Sequence, residues 1–475
     1  MKNLKKKLFL NNFIYLFFIM GALFLSLLYG AINNASLANK VDYFHPLEVW
    51  QSIVLPIIIF IFFIIGIALA IKNKIIVINK KFIVSTFILF LMIIYMIFLT
   101  LYKDNSHLIN LKNEGYLEVL SSDRIKSIID VTLVFLIIFS LFNLYPNFSK
   151  YKHLALYIFS VAFLLFTLYT IIYSLATEIE DYKYLLNNLN IYISKDWDIN
   201  CKIKSIYAYS NSFSHFCLFA MLDIMVLSFV FKKKWIFLFT FIILPFVFAG
   251  SSRTAVLVAL TMYILYWFYF VFTFLKDNKA VFFALLGFTL AIVIYFFLEV
   301  FLLKTISFTT SKGEILYIQD IFEMVYDILI NNRMEIFVEV FKNYNVLDYI
   351  FGQGYGISMY SVRSYYLAYN YHNSFIEIYC AGGILLCLFY LLIVGYLYYL
   401  TIKTWIKGNK NSLIMLLIMS FMYIQYSLSE SLPLFFDYCG GWVFSLMLTI
   451  PIIDNYNESI GNQKDIQTLN LFSKA

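Results

Sequence analysis

Runs of apolar residues recur from one end of the chain to the other, each closed off by a short polar or basic break. About 20 such residues, rising 1.5 Å apiece in an α-helix, cross the roughly 30 Å hydrocarbon core of a bilayer. The pattern predicts spans at Leu8–Ile32, Ile53–Ile71, Phe82–Tyr102, Ile129–Tyr145, His153–Ala176 and Ser212–Phe231. The second half adds Trp235–Ala249, Thr254–Leu275, Ala280–Leu303, Ser374–Leu400, Ser412–Ser429 and Leu434–Ile453. Hydrocarbon offers backbone groups no partners, so such segments fold as helices. The expected fold is all-α: a polytopic membrane helix bundle of about 12 transmembrane helices, one integral membrane domain over residues 1–475. One span is undersized. Trp235–Ala249 would reach about 22 Å as an α-helix.

Composition agrees with the pattern. The chain is 62% hydrophobic and 13% charged, with mean hydropathy +0.81, which excludes an ordinary soluble protein. The net charge of +7 matters less than where the charges lie. With the N-terminus inside, the short inner connections and the C-terminal tail hold 20 of the 35 basic residues, while of the acids only Asp277, Asp454, Glu458 and Asp465 fall there. That is the positive-inside distribution, so both termini are expected to be cytoplasmic and the partner of the basic residues to be membrane lipid, with no nucleic acid. Lys5–Lys7 followed by Leu8–Ile32 resembles a signal peptide, but the apolar run is too long for one, and an uncleaved first helix is expected. Five cysteines show no metal-ligand spacing, and no Asp-x-Asp pair, P-loop or H-E-x-x-H occurs, so no cofactor or metal is expected.

The outer face carries the longer connections, Asn33–Ser52, Lys103–Ile128, Thr177–Asn211 and the large loop 304–373. Long loops on one face of a rigid scaffold are where sites are commonly built. Within the largest, Glu314–Tyr344 repeats apolar residues at helical spacing, predicting amphipathic helices against the outer surface.

Candidate chemistry gathers on that face. Arg253 follows Gly250-Ser-Ser252 and opens a span behind the undersized one; a cation there costs a few kcal/mol unless paired. With the Ser252 hydroxyl and the free N–H groups of a helix start, it outlines an anion site. Arg333 and Arg363 lie in the large loop, and a guanidinium fork suits phosphate oxygens. His372 precedes Asn373 and Ser374 where the tenth span begins; a neutral imidazole there could take a proton from a hydroxyl, while Asn373 or Ser374 suffices as a helix cap. Phe351-Gly352-Gln-Gly354 follows no βα unit and reads as a turn approaching a ligand closely. Asp223 is a mid-span acid, either functional or hydrogen-bonded to a neighbouring helix. Asp42 and Glu48 sit in the first outer loop and read as solvated charges.

Gly250-Ser-Ser-Arg253-Thr-Ala, Arg333 in a long outer loop, Phe351-Gly-Gln-Gly and His372-Asn373-Ser-Phe-Ile-Glu with Gly382-Gly383 together resemble the bacterial O-antigen polymerase/O-antigen ligase superfamily. The likeness runs from about Phe241 to Leu400, residues 241–400; the N-terminal third agrees only in hydropathy. The resemblance implies an inner-membrane glycosyltransferase, metal-independent, that takes an undecaprenyl-diphosphate-linked glycan on the periplasmic side. Arg253 and Arg333 would hold the diphosphate, with Arg363 a further candidate, and His372 would act on the acceptor hydroxyl. Ser252, Asn373, Gly352 and Gly354 would line the substrate. The acceptor is another lipid-linked repeat unit for a polymerase, or lipid A–core or a protein for a ligase; a chain-length regulator is a partner implied by the resemblance alone. A lipid-linked oligosaccharide flippase has a similar helix count, but would be expected to show matched loops on both faces.

The topology is open to direct test. Single cysteines in an otherwise cysteine-free chain should be labelled by a membrane-impermeant reagent at 304–373 and not at Lys276–Lys279; equal labelling of both from outside would overturn the orientation.

Overall fold

The computed structural model describes residues 54–72, 80–102, 152–187, 203–206, 210–231, 233–250, 252–274, 307–309, 315–317, 332–354, 373–406 and 410–428, with a few single positions between them. Most of these are helical, with one short ribbon and a turn at 203–206. Helices α1 (Leu55–Lys72) and α2 (Lys80–Tyr102) come first, then α3 (Lys152–Thr177), the short α4 (Ile179–Asn187) and α5 (Ser210–Val230). A 3-10 helix, Lys234–Phe239, runs into α6 (Thr240–Ala249), and α7 covers Arg253–Phe274. Strands β1 (Ser307–Thr309) and β2 (Ile315–Tyr317) precede α8 (Asn332–Lys342), α9 (Val346–Phe351), α10 (Ser374–Ile406) and α11 (Lys410–Ser427).

Eight expected spans coincide with helices to within a few residues: α1, α2, α3, α5, the 3-10/α6 pair, α7, α10 and α11. Leu8–Ile32, Ile129–Tyr145, Ala280–Leu303 and Leu434–Ile453 lie wholly or largely outside the described residues. By length and composition two described segments, Ser210–Phe229 and Ser374–Leu400, are long and apolar enough to cross a membrane; Leu55–Leu69, Thr86–Tyr102, Phe163–Thr177, Lys234–Ala249 and Thr254–Phe270 are shorter apolar stretches.

Two expectations change in detail. The start of Glu314–Tyr344 is extended rather than helical: β2 pairs antiparallel with β1, Phe308 opposite Leu316. The β-branched Ile315 and the aromatic Tyr317 favour the strand. The later part does form α8, which buries Ile336, Phe337 and Val340 with Tyr344 against Cys380. The undersized span also differs. Its first six residues wind as a 3-10 helix, which rises about 2 Å per residue, so that Lys234–Ala249 reaches about 27 Å. That is about 5 Å more than an α-helix over Trp235–Ala249, about 3 Å from the tighter winding and the rest from the added residue Lys234.

Helix α5 is the hub. Its side chains from Phe216 to Leu227 are almost wholly buried, and α3, α6, α7 and the 3-10 helix pack around it. The outward faces of its neighbours stay apolar: Ile57 and Ile64 on α1, Phe87 and Phe98 on α2, Leu165 and Ile172 on α3, Leu391 on α10. Helices apolar on both faces belong in a large core or in lipid.

Helix α10 is broken. Gly383 has φ 62° and ψ −160°, nine residues after the helix begins, and no L side chain adopts that conformation readily. A break frees carbonyls that the next turn would have used. Here the chain after α9 supplies the missing donors: Gln353 N–H donates to Cys380 O and Gly354 N–H to Ala381 O, each at 2.8 Å. The Tyr95 hydroxyl of α2 lies 2.9 Å from Phe351 O and 3.1 Å from Gly382 O, donating between them. Gly352, at φ 71°, fits so closely that a Cβ would come 2.5 Å from the Gly382 and Gly383 nitrogens. A reciprocal capping box, Asn345 with Asp348, fixes the start of α9 and so aims this loop.

Gly352→Ala and Gly383→Ala should each lower stability by at least about 1–3 kcal/mol from backbone strain alone. Gly395→Ala, where a Cβ meets nothing within 4 Å, should be neutral or slightly stabilising. Thermal unfolding in detergent reads the difference; three equal midpoints would contradict the docked loop.

Candidate functional site

Two helix starts carry the sequence motifs, and each is built by a capping side chain. Ser252 caps α7: its Oγ accepts the Ala255 N–H at 3.3 Å and its carbonyl the Val256 N–H at 3.0 Å. Asn373 caps α10, its Oδ1 accepting N–H groups from Phe375 (3.0 Å) and Ile376 (3.1 Å). Its amide nitrogen also donates to Leu428 O at 3.4 Å.

The C-terminal end of α11 ties the two starts together. Ser374 Oγ donates to Glu430 O at 2.8 Å, and Thr254 Oγ1 donates to the Glu430 carboxylate at 3.4 Å. One turn earlier on the same helix, Tyr426 Oη lies 2.7 Å from His215 Nδ1, and His215 Nε2 lies 2.6 Å from Ser252 Oγ. The start of α5 joins through Ser214, whose hydroxyl donates to Val247 O at 2.6 Å. A Cβ on Gly250 would come 2.6 Å from Ser214 Cβ, so glycine allows the α6–α7 turn to lie against α5. The starts of α5, α7 and α10 and the ends of α6 and α11 therefore meet at one end of the bundle, the end expected to face outward.

Beside Asn373, an open groove of about 660 Å³ runs between α8, α9 and the start of α10. Phe337, Phe341 and Tyr349 give it aromatic walls, and Lys342 stands at its edge. Phe341 and Tyr349 stack with their ring planes 27° apart.

Of the expected site residues, Ser252, Asn373, Gly352 and Gly354 are described. The first two share the polar network; Gly352 and Gly354 belong to the α10 break, where Tyr95 and the Cys380 and Ala381 carbonyls are their neighbours. Arg253 and Arg333 occupy the starts of α7 and α8, with side chains outside the described set. His372 and Arg363 lie outside the described residues, as do Asp42 and Glu48. Asp223 sits well down α5, away from this network, where Ser160 Oγ donates to its Oδ1 at 2.8 Å, a hydrogen bond to a neighbouring helix. No known protein family, curated protein or solved structure matches this chain.

Sequence reasoning missed His215, Tyr426 and Glu430. The signal for His215 was present: Ser210-Asn-Ser-Phe-Ser-His215 is a polar run at the start of an apolar helix. Glu430 follows the apolar run Ser412–Ser429 and carries no signal in sequence beyond its charge. Tyr426 is one of 39 tyrosines and could be found only by folding the chain.

Gly250→Ala should force α5 and α6 apart, costing about 1–3 kcal/mol as overpacking does. An unchanged unfolding midpoint would contradict the contact at Ser214.

Proposed function

We propose that this chain is a membrane-embedded glycosyltransferase that moves an undecaprenyl-diphosphate-linked oligosaccharide onto an acceptor glycan, extending a polysaccharide as an O-antigen or capsule repeat-unit polymerase. One observation carries the reading. The turn bearing Ser252 and Arg253 and the helix start bearing Asn373, which follows His372, are far apart in sequence yet are both hydrogen-bonded to the end of α11. Those are two of the motifs that carry the family resemblance.

The chemistry follows from the residues this reading assigns. Transfer breaks the bond between the sugar's anomeric carbon and the diphosphate oxygen, and negative charge grows on the departing diphosphate. A guanidinium at Arg253, the Ser252 hydroxyl and the positive end of α7 stabilise that charge. Arg333, at the start of α8, and Arg363 are assigned to the same substrate. His372 takes the proton from the acceptor hydroxyl as the new glycosidic bond forms. The aromatic groove beside Asn373 offers ring faces to sugars. The apolar outward faces of the helices support a place in the inner membrane, and the distribution of basic residues supports cytoplasmic termini with this end of the bundle periplasmic.

The test is gene deletion with analysis of surface glycan. Single repeats on lipid A would mark a lost polymerase; polymer stranded on the lipid carrier would mark a ligase instead. Repeat units left on the cytoplasmic side would sink both. Arg253→Ala and His372→Ala should each abolish polymer in cells that still insert the protein, and full polymer from either variant would remove that residue's role.

A further inference from the structure

His215 lies between two hydroxyls on two other helices, at the end of the bundle where transfer is proposed to occur. A neutral imidazole carries one ring proton, so one nitrogen donates and the other accepts. The neighbours decide which. A phenol, with its pKa near 10, is a better hydrogen-bond donor and a poorer acceptor than an aliphatic hydroxyl. Tyr426 therefore donates to Nδ1, and Nε2–H donates to Ser252 Oγ across 2.6 Å.

That direction has a consequence for Ser252, which is almost fully buried. Its oxygen already accepts the Ala255 N–H, the capping bond of α7. With a second proton arriving from His215, both lone pairs are occupied, and the serine's own proton has to be given to a third group. In the opposite direction, Ser252 would give its proton back to His215 and have none for a substrate. We propose that Tyr426 and His215 are positioning residues: they make the Ser252 hydroxyl a dedicated hydrogen-bond donor to the diphosphate of the lipid-linked substrate held by Arg253. The inference rests on the donor reading above and extends it to two residues outside both motif turns.

Two measurements separate the inference from that reading. The first needs no activity. Nitrogen NMR of histidine-labelled protein in detergent, with His215 assigned by its loss in His215→Gln, should show the neutral Nε2–H form, Nδ1 being the unprotonated nitrogen. In Tyr426→Phe, which keeps the ring and removes one oxygen, that preference should weaken. The Nδ1–H form in the wild type would overturn the proposal.

The second is a double-mutant cycle in a transfer assay, with purified protein and a polyprenyl-diphosphate-linked oligosaccharide as donor. Tyr426→Phe and Ser252→Ala should each lower kcat/KM for the donor by about tenfold, with the acceptor KM unchanged. The double variant should be no worse than the weaker single, because both remove the same donated proton. Losses that multiply to about a hundredfold, or that fall on the acceptor KM, would make Tyr426 a packing contact and overturn the positioning role. A wild type with the expected tautomer but no transfer would sink the donor reading and the positioning role with it. Normal transfer with the opposite tautomer would sink the positioning role alone.

Discussion

Two backbone hydrogen bonds, from Gln353 and Gly354 to the carbonyls that the break in α10 exposes, hold this end of the bundle in shape. Without them a kinked helix would carry unsatisfied buried carbonyls, each of which costs about 1–3 kcal/mol. Because they form, α10 can bend after nine residues and still be closed on itself through α9. The bend, the glycine contact and the Tyr95 hydroxyl all require α2, α9 and α10 to be in place together. In the membrane reading the break lies about 13 Å along α10 from its outer end, so the Phe351–Gly354 turn enters the outer leaflet. Non-helical backbone at that depth is tolerated where protein covers it, and here α10 and Tyr95 do so.

Next to this break the ends of five helices come together. Capping residues do two jobs at once. Ser252 and Asn373 satisfy the first N–H groups of α7 and α10, and the same residues, with Ser374, reach across to α5 and α11. A polar network of this kind is expensive to bury half-satisfied, so its members specify one arrangement of the helices. Its location beside Arg253 and the aromatic groove is what makes it a candidate for handling a charged headgroup and a sugar together.

The helices were legible in the chain because apolar runs and basic breaks are local signals, and eight of them lie where hydropathy put them. The motif turns were legible because Ser-Ser-Arg and His-Asn-Ser each stand at a helix start. What could not be read depended on contacts between distant segments. Glycine at 352 and at 383 gives no hint in sequence that one packs on the other. Tyr426 and His215 are 211 positions apart, and only the antiparallel packing of helices brings the phenol to the imidazole. The 3-10 start at Lys234–Phe239 was missed for another reason: apolar periodicity predicts a helix without distinguishing its pitch, and the tighter winding adds about 3 Å to the span's reach.

The central claim is that this end of the bundle transfers a lipid-linked glycan. The direct measurement follows purified protein in liposomes given a synthetic polyprenyl-diphosphate-linked repeat unit, with chelator present and the lipid and saccharide products separated. The account predicts saccharides of two or more repeat units on the lipid, with one free polyprenyl diphosphate released per bond formed. Intact single-repeat donor, moved across the bilayer or left untouched with no diphosphate released, would contradict it.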